Sequence, residues 1–192
     1  NIRLPHNQNG QTPVLTWLKR KRDNRRSARS LYGSIVTQSR QSTFFADWGV
    51  PDTAEGRFEM LVLHLVLTIR RLSQAADEDL QRALTEAFVI DIDDSLREMT
   101  VGDLAVPRHV KRAVAVLHDR HTLYGKGLDS PDPEVVASAV LTRLGGLKGA
   151  EDLDTAAICA YLREATRVLT GTPVGALLNG QIDWPHPGQP GT

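Results

Sequence analysis

Residues 52–72 read DTAEGRFEMLVLHLVLTIRRL, and the fold turns on this stretch. Phe58, Leu61, Val62, Leu65, Ile69 and Leu72 recur at i, i+3, i+4, i+7, i+11 and i+14, the repeat of one helix face. Met60, Leu63 and Leu67 cover other faces, so the helix is apolar nearly all round and belongs at the centre of a core. Asp52 with Glu55 three residues on reads as a capping box. Glu55 and Glu59 come early and Arg70 and Arg71 late, which complements the helix dipole. His64, inside this helix, is expected as a hydrogen-bonded core residue.

The pattern continues on both sides. Leu31, Ile35 and Val36 mark a preceding helix from about Ala28 to about Asp47, broken by Gly49-Val50-Pro51. Asp77 opens the next helix, with Leu80, Leu84, Phe88, Ile92, Leu96 and Met99 as its stripe. Pro107 suits the first turn of a helix traced by Val110, Val114, Leu117, His121 and Tyr124. Gly125 to Pro133 reads as a loop. Val135 to Leu144 is a fifth helix, ended by Gly145-Gly146, and a sixth starts at Asp152 or Asp154. Trp184 is expected to pin a Pro-rich tail. With no strand alternation, the class is all-α: one domain of about six helices around a central buried helix, over residues 28–185. A flexible basic N-terminal arm (1–27) precedes it and a Pro/Gly-rich tail (186–192) follows.

A chain of 192 residues is one domain's worth, and a domain of that size folds without disulfides or metal. Aromatics at 5% weaken the case for a base-stacking nucleic-acid platform. Net charge is zero, from 23 basic and 23 acidic side chains, which argues against a uniformly basic nucleic-acid binder. That balance hides a separation. Residues 17–29, WLKRKRDNRRSAR, carry seven bases (Lys19, Arg20, Lys21, Arg22, Arg25, Arg26, Arg29) and one acid, a net of +6. Residues 77–103 carry nine acids and two bases, a net of −7. Cys159 stands alone, so no internal disulfide exists, and its apolar surroundings predict an inert buried thiol. The longest apolar run, Phe58 to Ile69, falls short of the ~20 residues that a membrane span requires.

Three features carry candidate chemistry. Residues 91–98, DIDDSLRE, place Asp91, Asp94 and Glu98 on one helix face, an acidic surface or, less favoured, a metal-dependent enzyme site completed by a histidine. His118 and His121 sit at i, i+3, but no third ligand is assigned. The basic arm reads as a soluble tail, an anchor for anionic lipid or a binder of RNA phosphates on a ribosome, and Trp17-Leu18 beside it tilts the reading towards a membrane surface. Phosphate-loop, dinucleotide-binding, nucleophile-elbow and zinc-protease motifs are all missing. Trp48, in a turn, is a candidate anchor for a protein partner.

Two stretches, YGSIVTQSRQSTFFADWGVPDTAEGRFEMLVLHLVLTIRRL (32–72) and LTEAFVIDIDDSLREMTVGDLAVPRHVK (84–111), resemble the ubiquinol–cytochrome c chaperone family. The telling pieces are YGSIVTQSRQ, GVPDTAEGRFEML and DDSLREMTVGDLAVP; a final G-x-I-x-W-P matches more loosely, and the resemblance spans roughly residues 28–185. It implies a non-enzymatic assembly factor, with no cofactor, that binds newly made cytochrome b and supports assembly of ubiquinol–cytochrome c reductase. It implies a location on the cytoplasmic side of a bacterial inner membrane, peripherally held, or on the matrix side in a mitochondrion. The family motif falls on Arg40, Arg57, Glu59, Asp94, Arg97 and Glu98, which become polar candidates for a client surface, with an internal salt-bridge network between the central helix and the next one as the competing role. Trp48 stands where the family pattern has an aliphatic residue or Tyr, and joins the candidates. The basic residues 19–22, 25, 26 and 29 are candidates for docking on a ribosome or an anionic membrane; DNA is not expected as a partner.

Overall fold

The computed structural model describes residues 13–98 and 106–188, with side chains over 17–95 and 107–188. Helix α1 spans Pro13–Ser39, α2 Ser42–Ala46, α3 Ala54–Gln74, α4 Glu78–Glu98 and α5 Val106–Asp129. Then come α6 (Pro133–Val140), which continues as a π-helical turn over Leu141–Gly145, α7 (Thr155–Gly171) and the short α8 (Val174–Leu178). The described residues contain no strand, and the all-α class holds.

Helix α3 is the axis. Met60, Val62, Leu63, Leu65, Val66, Ile69 and Leu72 are all buried although they point in every direction around it. This is what an apolar circumference requires: each face needs a neighbour. Those neighbours are α1, α4, α5 and α7. Long-range polar pairs fix their directions. Arg20–Asp79, Arg25–Glu86 and Tyr32–Asp91 advance together, so α1 and α4 run parallel. Glu59–Arg120 and Arg70–Asp129 do the same for α3 and α5, and His64–Tyr161 and Arg71–Leu169 for α3 and α7. Because a three-residue turn joins α3 to α4, these two are antiparallel. The long helices therefore alternate: α1 and α4 point one way, α3, α5 and α7 the other.

The structure differs from the sequence reading at several boundaries. The arm is helical from Pro13, not flexible through residue 27; residues 1–12 lie outside the described residues. Leu, Lys, Arg and Ala are good helix formers, no Gly or Pro interrupts 14–32, and acids on α4 meet two of the arginines. The first helix ends at Ser39, and α2 is a separate turn. The cap of α3 is Thr53, whose hydroxyl accepts from the Gly56 N–H at 3.1 Å; Asp52 is drawn off to Arg57 instead. Asp77 does open α4, accepting from the Leu80 N–H at 3.0 Å, and Asp154 opens α7. Helix α5 runs through Gly125 and Gly127 to Asp129, where the sequence reads as a loop. Those glycines serve close packing: a Cβ on Gly127 would lie 2.8 Å from the Cα of Val136. Gly49 (φ +68°) turns the chain where a Cβ would strike the Asp152 carbonyl oxygen. Packing reaches Pro187, which is buried; residues 189–192 lie outside the described residues.

Candidate functional site

Polar residues of the apolar core come first, because each needs a partner. Glu59 is 7% exposed on α3 and Arg120 9% exposed on α5. Arg120 Nε donates to Glu59 Oε2 at 2.9 Å and Nη2 to Oε1 at 2.5 Å, a two-point fork. Arg120 Nη1 also donates to Asp119, which accepts in turn from Arg143 beyond α6. Glu59 is thus withdrawn from any client surface. The alternative reading expects a network between the 52–72 and 77–99 helices; Glu59 is paired instead with Arg120, which links α3 to α5.

His64 is fully buried and surrounded by rings: Phe44, Tyr161 and Trp184 lie 5.2–5.5 Å away, centroid to centroid. Its Nδ1 faces the Met60 carbonyl oxygen at 2.7 Å, which can only accept, so Nδ1 carries the proton. Nε2 then accepts from the Tyr161 hydroxyl at 2.7 Å. Tyr161 accepts in turn from Gln38 Nε2 at 3.0 Å, and the same amide donates to the Pro185 carbonyl at 2.9 Å. Burial lowers the His64 pKa from 6.5 to about 4, so the ring is neutral at physiological pH. Trp184 Nε1 donates to Ser34 Oγ at 3.0 Å, and the tail is pinned as expected. Trp48 joins the same cluster, 5.4 Å from Phe44 and 6.0 Å from Tyr161, and is half-buried. It packs as a core-edge residue more than it projects as an anchor.

The remaining candidates lie on the surface. Arg57 is exposed and forks onto Asp52 at 2.6 and 3.1 Å, which holds the Asp52 carboxyl below its ordinary pKa. Arg40 is exposed in the turn after α1, and Asp94 is exposed on α4. Arg97 and Glu98 fall in the last turn of α4, and their side chains lie outside the described residues, as do Gly102 and Asp103. Of the DIDDSLRE carboxylates, Asp91 accepts from the Tyr32 hydroxyl at 2.9 Å and ties α4 to α1. No cluster of three or more His, Cys, Asp or Glu is placed to hold a metal among the described residues. Cys159 is buried, and burial raises its thiol pKa.

Beside Phe58 lies an almost wholly apolar pocket of about 260 Å³. Phe58 of α3, Ile92 of α4 and Ala113 and Val116 of α5 line it, with His109 and Arg112 at its polar edge. The sequence pattern pointed to Phe58 as core, and to His109 only as one of three histidines on a helix, but not to Arg112, Ala113 or Val116. They come from a helix fifty residues away, and nothing local marks them. Along α1, Lys19, Arg22, Arg26 and Arg29 are exposed and take part in no recorded ion pair among the described residues. No helix of the described residues is long and apolar enough to cross a membrane.

A search of the curated proteins finds no match. Among solved structures, the Cbp3 homolog from Brucella abortus is similar, with 30% sequence identity and a TM-score of 0.75, over 92% of this chain and 98% of that one. The family model described as ubiquinol–cytochrome C chaperone matches residues 46–184, a stretch that takes in Trp48, Glu59, the His64 cluster and the Phe58 pocket. The chain therefore belongs to the ubiquinol–cytochrome C chaperone family.

Proposed function

We propose that this protein is a non-enzymatic assembly chaperone that binds newly made cytochrome b and supports its entry into ubiquinol–cytochrome c reductase. The observation that carries the reading is the family match over residues 46–184. The Phe58 pocket supports it. Its apolar wall, set on three rigid helices and edged by His109 and Arg112, suits a single large apolar side chain from a membrane-protein client. Arg57 and Asp94, exposed on the helices that supply Phe58 and Ile92, extend the client surface.

The bases Lys19, Arg22 and Arg26 turn the outward face of α1 towards anionic lipid, with exposed Leu18 at its margin. Each base near such a surface contributes ~1 kcal/mol. The protein then works peripherally at the membrane that receives its client.

Newly synthesised proteins crosslinked to this chain in its native cells are the test. Cytochrome b is the expected adduct, and deletion of the gene should deplete assembled reductase. A fully assembled, active reductase in the deletion strain would end the reading. For the α1 face, the triple change Lys19→Glu, Arg22→Glu, Arg26→Glu should abolish co-sedimentation with phosphatidylglycerol–phosphatidylcholine vesicles. Sedimentation with ribosomes and not with vesicles would replace lipid by RNA.

A further inference from the structure

A different surface, distinct from both the Phe58 pocket and the outward face of α1, has its own character. Two adjoining hollows, about 140 and 200 Å³, lie between α1 and α4 and share Arg25, Ala83 and Glu86. Together they form one groove along α4 from Asp79 to Ile90, a length of ~16 Å or three helical turns. Ala83 and Ala87, one turn apart, make a low floor. An exposed apolar side chain stands at each end: Trp17 is 57% exposed and Ile90 55%. Trp17 falls on the same α1 stripe as the buried Ala28, Leu31 and Ile35, yet it stays largely open to solvent, with only the Lys21 ammonium recorded over its ring among the described residues.

The charges of the walls are uneven. Five bases (Arg20, Lys21, Arg25, Arg29 and Arg82) face two acids, Asp79 and Glu86. Asp79 serves Arg20 at 3.0 Å and Arg82 at 3.7 Å, and Glu86 reaches Arg25 only at 3.9 Å. Lys21, 5.2 Å above the Trp17 ring, and Arg29 have no recorded acid among the described residues. An occupant that supplied carboxylates opposite Lys21 and Arg29 would complete the set.

We infer that this groove receives an acidic amphipathic helix of a partner protein, about three turns long, with apolar anchors at its two ends and carboxylates between. A helix fits the span, the low alanine floor admits its side chains, and its acids complement the net positive walls. The sign pattern separates this occupant from a lipid surface or RNA. A uniformly anionic partner would meet Asp79 and Glu86 at the same time as the bases, whereas a peptide can place its acids selectively. The inference does not depend on the identity of the client.

The test uses the full chain and a fluorescein-labelled synthetic 14-residue helix, with Leu at positions 1, 4, 8 and 12 and Glu flanking them, read by anisotropy. Saturable binding is expected, weakened at least tenfold by Arg29→Glu and by Ile90→Glu, and unchanged within twofold by Lys148→Glu, the same charge change outside the groove. Ala87→Trp, which fills the floor, should abolish it; thermal melting checks that this variant folds, and the Ile90 variant, changed at an exposed position, stands if it does not. Equal weakening by the Lys148 and Arg29 variants would show simple charge attraction and overturn the inference. In cells, a benzophenone amino acid at position 90 should crosslink to a protein segment with this acidic, apolar pattern. Adducts confined to lipid or RNA would overturn it as well, and would leave the cytochrome b test unaffected.

Discussion

Glu59 and Arg120 lock α3 to α5 through a two-point ion pair that is nearly closed to solvent, 2.9 Å on one arm and 2.5 Å on the other. Removing one partner leaves a buried charge alone. Glu59→Ala should therefore destabilise the fold by ~3–5 kcal/mol, read by urea unfolding. Replacing both at once, Glu59→Met with Arg120→Met, should recover most of that loss, because the desolvation penalty disappears with the charges. A single variant as stable as the parent would contradict the burial of this pair.

His64 makes stability depend on pH in a definite direction. Its folded pKa is about 4 against 6.5 unfolded, because burial penalises the charged ring. Below pH 6.5 the unfolded chain binds the proton and the folded one does not. Stability is thus intact above pH 6.5 and falls progressively as pH drops to about 4, by up to ~3 kcal/mol for this group. His64→Gln, which cannot titrate, should show a shallower loss over the same interval in parallel denaturation series. Equal slopes would mean that other groups carry the acid sensitivity.

Trp184 tests how firmly the tail is held. Trp184→Ala, at a half-buried position against His64, should cost ~2 kcal/mol, below the range for a fully buried aromatic. Trp184→Phe keeps most of the packing and loses the bond to Ser34, a cost of ~1 kcal/mol. Limited proteolysis after residue 180 should be faster in the Ala variant than in the Phe variant.

Two helical glycines should respond in opposite ways to alanine. Gly33 on α1 is exposed, and a methyl group added there would meet nothing within 4 Å, so Gly33→Ala should stabilise by up to ~1 kcal/mol. Gly127→Ala would press against the Val136 backbone and should cost ~1–3 kcal/mol. Thermal melting of the two variants decides how closely α5 and α6 approach at this point.

The client surface gives a prediction that leaves stability alone. Arg112 and Asp94 are exposed at or beside the Phe58 pocket, so Arg112→Glu and Asp94→Lys should unfold like the parent within ~0.5 kcal/mol. Both should reduce crosslinking to cytochrome b severalfold. Unchanged crosslinking in both would move the client to another face.

Helix existence was legible because it rests on local periodicity. The unbroken apolar circumference of 58–72 required a central helix, and Asp77 and Asp154 announced helix starts through bonds that span three residues. His64 was legible as a core residue for the same reason. Boundaries were less so: Gly125 and Gly127 have the signature of a loop, and only the approach of Arg70 and Val136 explains their place inside α5. The sites were the least legible. Glu59 looks like a surface acid until Arg120, sixty-one residues on, is brought against it.

The amino-acid sequence alone thus determined an all-helical chain, its central helix, its separated charges and its resemblance to a chaperone family, all properties of short segments or of their order. Tertiary structure decided which charges are spent inside and which remain for partners. It buried Glu59, turned Arg20 and Arg25 towards α4, and left Lys21 and Arg29 on a groove between helices. The physical reason is that a charge's role depends on its solvent exposure and its nearest opposite charge. In a bundle whose α1–α4 and α3–α5 partners lie about sixty residues apart, neither is a local property.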